Sequence, residues 1–150
     1  MYIESNGAMD ERFLGCIEDY LDFTFPKGYR NFLLKFNGGY SDKNTFNFKN
    51  SSEGSCLDIL LGFIQGRYKN ALLYKKLYSN RIPNNTFPIG LEGGGNLVLI
   101  SVKGSDRGKI YFWDHEEEAY EDEEPDYSNL TLIADSFDEF LDGLHDYEEE

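Results

Sequence analysis

The sequence has no basic residue after Lys109. Its 150 residues include 28 acidic and 14 basic side chains, so the formal net charge is -14. Residues 1–109 carry 14 basic and 11 acidic groups, a net of +3, whereas residues 110–150 carry 17 acidic groups and no basic one. A surface that binds phosphate groups needs positive charge. We therefore expect neither nucleic acid nor an anionic membrane surface to be a partner.

Cysteine and long apolar runs are also scarce. The two cysteines, Cys16 and Cys56, form no CxxC pair, and we expect both to be reduced, buried side chains. The N-terminus has neither the basic nor the apolar segment of a secretory signal, and no stretch approaches the roughly 20 apolar residues of a membrane span. These absences predict a cytoplasmic, single-domain protein that can bury a core without disulfides or a structural metal.

Residues suited to metal binding or catalysis do not assemble into a known motif. The run from His115 begins like HExxH, but Ala119 stands where the second zinc ligand would be. The acidic segment that follows lacks a calcium-loop frame, and no nucleophile elbow is present. Glycines 93–95 lack the frame of a phosphate loop and predict a turn. We predict no metal, no cofactor and no enzymatic activity. An enzyme that uses two carboxylates ranks third, after the two non-catalytic functions described below.

Hydrophobic spacing predicts four helices. The second would begin at Pro26, which suits a first helical turn, and end at Asn37 and the two glycines after it. The third is predicted over residues 68–78, with Leu77 among its apolar positions. The fourth begins at Ser136, which has capping-box spacing to Glu139. The first begins near residue 9 and would bury one apolar face, formed by Met9, Phe13, Cys16, Ile17, Tyr20 and Leu21.

Short apolar or alternating segments predict about six strands. They cover residues 46–48, 57–63, 87–90, 97–102, 109–113 and 130–133, and glycine-rich turns separate several of them. The order of helices and strands predicts an α+β fold with a mainly antiparallel or mixed sheet flanked by helices. No internal repeat indicates a second domain.

Residues 114–126 form the acidic loop, the densest cluster of charge in the chain. A run of this kind usually forms a solvated surface that keeps a protein soluble. It can also contact a basic partner, which would relieve the repulsion between its carboxylates and attract that partner from a distance. Composition alone weighs these two interpretations equally. The acidic C-terminal tail, residues 146–150, is predicted to be solvated.

Three groups of motifs resemble the SUKH superfamily, also called the Smi/Knr-like family. Residues 26–33 supply a proline, an aromatic residue and a Phe-Leu pair, and Asn-Gly follows at 37–38. Residues 87–96 and 108–116 resemble the central strands of the family, which end in Trp-Asp-His. Residues 134–141 are similar to its terminal helix, with an A-x-S-F-x-x-F-L pattern. The resemblance covers nearly the whole chain in the right order.

This resemblance implies a function as well as a fold. Bacterial members act as immunity proteins, which bind and neutralise a cognate polymorphic or contact-dependent toxin, often a nuclease, without catalysis. The alternative is a regulatory scaffold of the Smi/Knr type with no toxin partner, as among fungal relatives. A toxin gene immediately upstream would favour immunity, and an isolated gene would favour the scaffold.

We place partner binding on the acidic loop and its flanking tyrosines. Nuclease toxins bind polyanions through cationic surfaces, so an acidic inhibitor can occupy the same electrostatic footprint. Tyrosine side chains add contact area at modest entropic cost. The predicted partner-binding residues are Glu116, Glu117, Glu118, Tyr120, Glu121, Asp122, Glu123, Glu124, Asp126 and Tyr127.

Overall fold

A computed structural model describes residues 1–64 and 70–147. Within these ranges the chain forms four helices: α1 (Glu11–Leu21), α2 (Lys27–Phe36), α3 (Ala71–Leu77) and α4 (Phe137–Asp142). It also forms eight strands: β1 (Ile3–Ser5), β2 (Gly39–Ser41), β3 (Thr45–Asn47), β4 (Gly54–Leu60), β5 (Thr86–Glu92), β6 (Leu97–Ser101), β7 (Ile110–Trp113) and β8 (Leu130–Ala134).

The predicted α+β fold is confirmed, with eight strands rather than about six. The sheet runs in the order β1-β2-β4-β5-β6-β7-β8, and β3 pairs with β4 off this path. Its strand pairs are antiparallel. The sequence pattern missed β1 and β2, which have three residues each and lack the alternating phenylalanines that marked β3. No helix of the described residues is long and apolar enough to span a bilayer.

Strand β6 is buried on both faces and separates two apolar clusters. Val98 and Ile100 point into the main core, which also receives side chains from α1, α2 and α4. Leu97 and Leu99 point to the other face, as alternate residues of a strand must. There they pack in a smaller cluster with Ile82 and Trp113. Trp113 is therefore a core residue.

Helix α2 follows its sequence signals closely. Pro26 is the N-cap residue, and Tyr29, Phe32 and Leu33 are buried in the main core. Asn37 ends the helix in the left-handed conformation, with φ 49°, and its backbone N–H donates to Leu33 O at 2.8 Å. Asn is among the few residues that adopt this conformation readily.

Helix α1 forms where expected, but the predicted buried face is only partly right: Met9 and Ile17 are in the main core and Leu21 packs against it, whereas Phe13, Cys16 and Tyr20 are exposed. Leu14, Ile17 and Glu18 are buried, whereas Phe13 is 53% exposed and Tyr20 is 66% exposed. The inward side of α1 carries Glu18, whose carboxylate accepts the Phe25 backbone N–H at 2.8 Å and pairs with the Arg30 guanidinium at 3.0 Å. These bonds satisfy the buried carboxylate, so Glu18 can face inward.

The expectation of two buried cysteines is also wrong. Cys16 lies on the exposed side of α1. Cys56 is half-buried on β4, where its sulfur lies 3.6 Å from the Thr45 hydroxyl. Both are free thiols, and the prediction that they are unpaired is confirmed.

Helix α3 and strand β4 also differ from their predicted bounds. The third helix begins at Ala71 rather than near Tyr68, a residue outside the described ranges, because the Asn70 side chain caps it. Its Leu77 is 61% exposed rather than packed. Strand β4 ends at Leu60, earlier than the predicted 63. At α4 the expected cap is present, since the Ser136 hydroxyl accepts the Glu139 N–H at 3.1 Å.

Gly15 in α1 offers a direct test of helix energetics. A Cβ atom built at this position meets nothing within 4 Å, so alanine fits without a clash. Glycine inside a helix costs about 0.5–1 kcal/mol relative to alanine. We expect Gly15→Ala to raise the free energy of unfolding by about that amount in a urea titration. A lower urea midpoint for Gly15→Ala would contradict this account.

Candidate partner-binding site

The acidic loop connects β7 to β8 and lies on the surface. It starts with a 3-10 turn over His115–Glu117, whose N-cap is Asp114. Seven carboxylates of the loop are exposed, and within the described residues none of them forms an ion pair. They are Glu116, Glu117, Glu121, Asp122, Glu123, Glu124 and Asp126.

Backbone and amide hydrogen bonds fix the start of this loop. The Asp114 N–H donates to Asn129 O at 3.1 Å, and Asn129 Nδ2 donates to Asp114 O at 2.9 Å. The His115 N–H donates to Asn96 Oδ1 at 2.9 Å. Asn96 follows the predicted glycine turn, which is confirmed and in which Gly95 has φ 90°. This turn therefore helps to position the acidic loop.

Arg81 holds the middle of the loop against the body of the protein. Its Nε donates to Glu118 Oε2 at 3.0 Å and its NH2 group to Glu118 Oε1 at 3.1 Å. The guanidinium also lies over the rings of Tyr78, at 4.4 Å, and Trp113, at 5.5 Å. The hydrogen bond to Glu118 raises the pKa of Arg81. The planar Arg81 guanidinium is held by two hydrogen bonds to Glu118 and by two aromatic rings. These contacts fix both the position and the orientation of the Glu118 carboxylate.

A hydroxyl cluster around Asp106 holds the end of the loop. The Tyr127 hydroxyl donates to Asp106 Oδ2 at 2.6 Å and accepts from Asn85 Nδ2 at 2.7 Å. Ser101 and Tyr111 donate to the same carboxylate at 2.8 and 2.9 Å. Burial opposes ionisation of Asp106, but these hydrogen bonds outweigh it and lower the pKa of the carboxyl. Burial and the bond to Asp106 raise the pKa of Tyr111.

An open groove of about 520 Å³ is lined by residues of the acidic loop and of the segment 79–85. The acidic loop contributes the four consecutive acids of residues 121–124, and the segment contributes Asn80, Asn84 and Asn85. Carboxylate and amide oxygens all accept hydrogen bonds. The groove is therefore suited to a guanidinium or ammonium group that brings several N–H donors.

The ten predicted partner-binding residues fall into two structural groups. Tyr120 is 78% exposed and, with the seven exposed carboxylates, is available to a partner. Glu118 and Tyr127 are bound within the chain by Arg81 and Asp106 and support the loop. In the predicted tail, residues 148–150 lie outside the described ranges. Residues 1–64 and 70–147 contain no group of three or more His, Cys, Asp or Glu placed to hold a metal.

Asp106→Asn should loosen the end of the loop. It should also remove a contribution to the free energy of unfolding that depends on pH. Hydrogen bonds to a charged acceptor contribute about 1.5–3 kcal/mol, and we expect a loss of about 2 kcal/mol at pH 7. The folded-state pKa of Asp106 is lowered, so its stabilisation is complete above the unfolded pKa of about 4 and lost as pH falls through the folded pKa.

Urea titrations at pH 7 and at about pH 3 measure this effect. The difference in unfolding free energy between wild type and Asp106→Asn should shrink at the lower pH. Glu53→Gln is a control, because Glu53 is exposed and its side chain makes no hydrogen bond recorded among the described residues. An equal difference at both pH values would show that the Asp106 charge does not stabilise the fold.

Comparison with known proteins identifies the group to which the fold and these motifs belong. The sequence model that describes the SMI1 / KNR4 family (SUKH-1) matches residues 10–143. The chain is also 34% identical over 137 residues to the SPbeta prophage-derived uncharacterized protein YokK of Bacillus subtilis (strain 168). That similarity covers 81% of this chain and 67% of the relative. With the family model spanning α1 to α4, the chain belongs to the SMI1 / KNR4 family (SUKH-1).

Proposed function

We propose that this chain is an immunity protein, which binds a cognate bacterial toxin with a basic surface and neutralises it in the cytoplasm without catalysis. One observation carries the proposal: seven exposed carboxylates without an ion-pair partner among the described residues lie on a loop that is anchored at its start, middle and end. Solubility alone requires the charges but not the anchors.

The anchors matter because they reduce the cost of binding. A loop that must be ordered on complex formation loses conformational entropy, whereas a loop already held in place loses little. The contacts from Asn96, Arg81 and Asp106 to the loop do this ordering in the free protein. The exposed carboxylates then raise the rate of encounter with a cationic surface.

Contacts beyond the charges would give the complex its stability. A standard interface buries about 800 Å² on each partner, more than one loop supplies. The groove beside residues 121–124 offers a place for an arginine or lysine of the toxin. Tyr120 offers an aromatic side chain that is 78% exposed in the free protein and gains favourable energy when it is buried.

Membership of the family is compatible with both functions, and the prophage origin of the relative is what favours immunity. A prophage carries genes that move between bacteria, and toxin immunity suits such a gene better than a housekeeping regulator does. Fold alone does not assign the partner, so the proposal depends on the loop.

Co-expression with the product of the adjacent upstream gene tests the proposal. We expect the two proteins to co-purify as a one-to-one complex and the chain to protect cells from the toxic product. The same pull-down from cells that lack the toxin gene is the control. Binding to several endogenous proteins, together with no protection, would support the scaffold instead.

A further inference from the structure

In the part of the chain that the structure describes, helix α1 carries an apolar stripe that remains largely exposed. Phe13, Cys16 and Tyr20 follow each other at three- and four-residue spacing on the outer side of the helix. With Ile17 below them and Phe63 and Leu72 opposite, they line a groove of about 410 Å³. Most proteins cover a contiguous apolar surface of this kind with another molecule or use it to bind one.

Two opposite charges flank the stripe on one side. At about 100° per residue, Arg12 and Asp19 lie about 20° apart around the helix axis and two turns apart along it. Both side chains are exposed. Among the described residues neither one forms an ion pair. The flank therefore carries a positive charge near the start of α1 and a negative charge near its end.

We propose that α1 pairs with α1 of a second copy of this chain in antiparallel orientation. A two-fold axis beside Cys16 brings Phe13 of each copy next to Tyr20 of the other, so that the two stripes cover each other. In an antiparallel helix pair, like flanks face each other. Arg12 of each copy then lies opposite Asp19 of the other, which gives two symmetric ion pairs.

This charge pattern selects a second copy over an unrelated helix. A two-fold interface uses the same patch twice, so it must be complementary to itself under reversal. Along α1, the positive Arg12 comes first, the apolar stripe follows and the negative Asp19 comes last. This order is complementary to itself when one helix is reversed. In a parallel pairing, the flank with Arg12 and Asp19 would face the opposite flank of the other helix, so the two ion pairs would not form.

The dimer is weak, because the stripe is smaller than the roughly 800 Å² per partner of a standard interface. Sedimentation velocity over a wide concentration range should show a reversible monomer–dimer equilibrium. Phe13→Asp should abolish the dimer, since it places an unpaired carboxylate in the apolar contact. Tyr2→Asp is the matched control, because Tyr2 is 69% exposed and lies outside α1, just before β1. A chain that stays monomeric at every concentration would overturn the proposal.

Charge exchange tests the antiparallel arrangement itself. Arg12→Asp alone should raise the dimer dissociation constant by about tenfold, because each ion pair would become a pair of facing carboxylates. The double variant Arg12→Asp with Asp19→Arg should restore association. If the double variant is no tighter than Arg12→Asp, the antiparallel pairing is wrong.

Cysteine cross-linking locates the axis. A short bis-maleimide should join the two Cys16 thiols of the dimer, and Arg12→Asp should lower the yield. Cys56→Ser should leave the cross-link intact, and Cys16→Ser should remove it. If Cys16 does not cross-link in a dimeric sample, or if Phe13→Asp weakens toxin binding while the wild type is monomeric, the groove has a different occupant and the proposal fails.

Discussion

Replacing the four consecutive acids of residues 121–124 with lysine should slow association with the toxin by about tenfold or more at low salt. These side chains line the groove and are exposed. Reversing them removes the attraction that guides a basic partner and puts repulsion at the contact itself. The fold should survive, because within the described residues none of the four forms an ion pair. Stopped-flow or surface plasmon resonance kinetics measure the association rate.

A second set of four reversals separates the local effect from overall charge. Each quadruple variant changes the net charge from -14 to -6. The control replaces acids that are exposed and lie away from the loop: Glu4, Glu53, Asp142 and Asp146. The control should lose much less association rate than the loop variant. Equal losses would mean that total charge, rather than the acidic loop, attracts the toxin.

Salt provides an independent check on the same variant. The Debye length falls from about 10 Å at 0.1 M salt to about 3 Å at 1 M. Wild type and the loop variant should therefore approach the same association rate at high salt. A difference that is independent of salt would indicate lost short-range contacts instead of lost steering.

The sequence predicted the parts of the fold that depend on neighbouring residues. Helix α2 is a clear case, since Pro26 at its start, the spacing from Tyr29 to Leu33 and Asn37 at its end act within one or two turns. Local signals of this kind are readable because they need no knowledge of the remaining structure.

Helix α1 shows where local pattern is insufficient. Phe13 and Tyr20 lie on one side of it and Leu14 and Leu21 on another, so two apolar faces compete for burial. The face of α1 that is buried is the one that carries Glu18, a charged residue that is normally expected in solvent. Its partners, the Phe25 N–H and Arg30, lie 7 and 12 residues further along the chain. No periodicity within α1 contains that information.

The candidate site divides in the same way. Its location is visible in the sequence because charge density is a local property. Its anchors are not visible, because Arg81 lies 37 residues before Glu118, and Asp106 lies 21 residues before Tyr127. The sequence therefore places the ten residues in one group, and only the structure separates the exposed carboxylates from Glu118 and Tyr127.

The Asn-Gly-Gly signature after α2 has a physical explanation in a contact between two backbones. Asn37 Oδ1 accepts the Phe63 N–H at 2.7 Å, and Asn37 Nδ2 donates to Phe63 O at 3.3 Å. These two hydrogen bonds bring the backbone of Gly38 against that of residues 60–62. A Cβ on Gly38 would lie 2.7 Å from Leu60 O. Gly62 is the matching residue on the other side, and its Cβ would lie 2.0 Å from Asn37 O.

Alanine at either glycine should therefore destabilise the protein strongly. Gly38 has φ 81°, so Gly38→Ala adds left-handed strain to the clash, while Gly62→Ala meets only the clash. Such overpacking and strain cost about 2–4 kcal/mol together, and backbone atoms cannot rotate away as a side chain can. Urea unfolding measures the loss, with Gly93→Ala as the control because its Cβ would meet nothing within 4 Å. If Gly62→Ala were as stable as Gly93→Ala, the two backbones would not be in close contact, and the signature would need another cause.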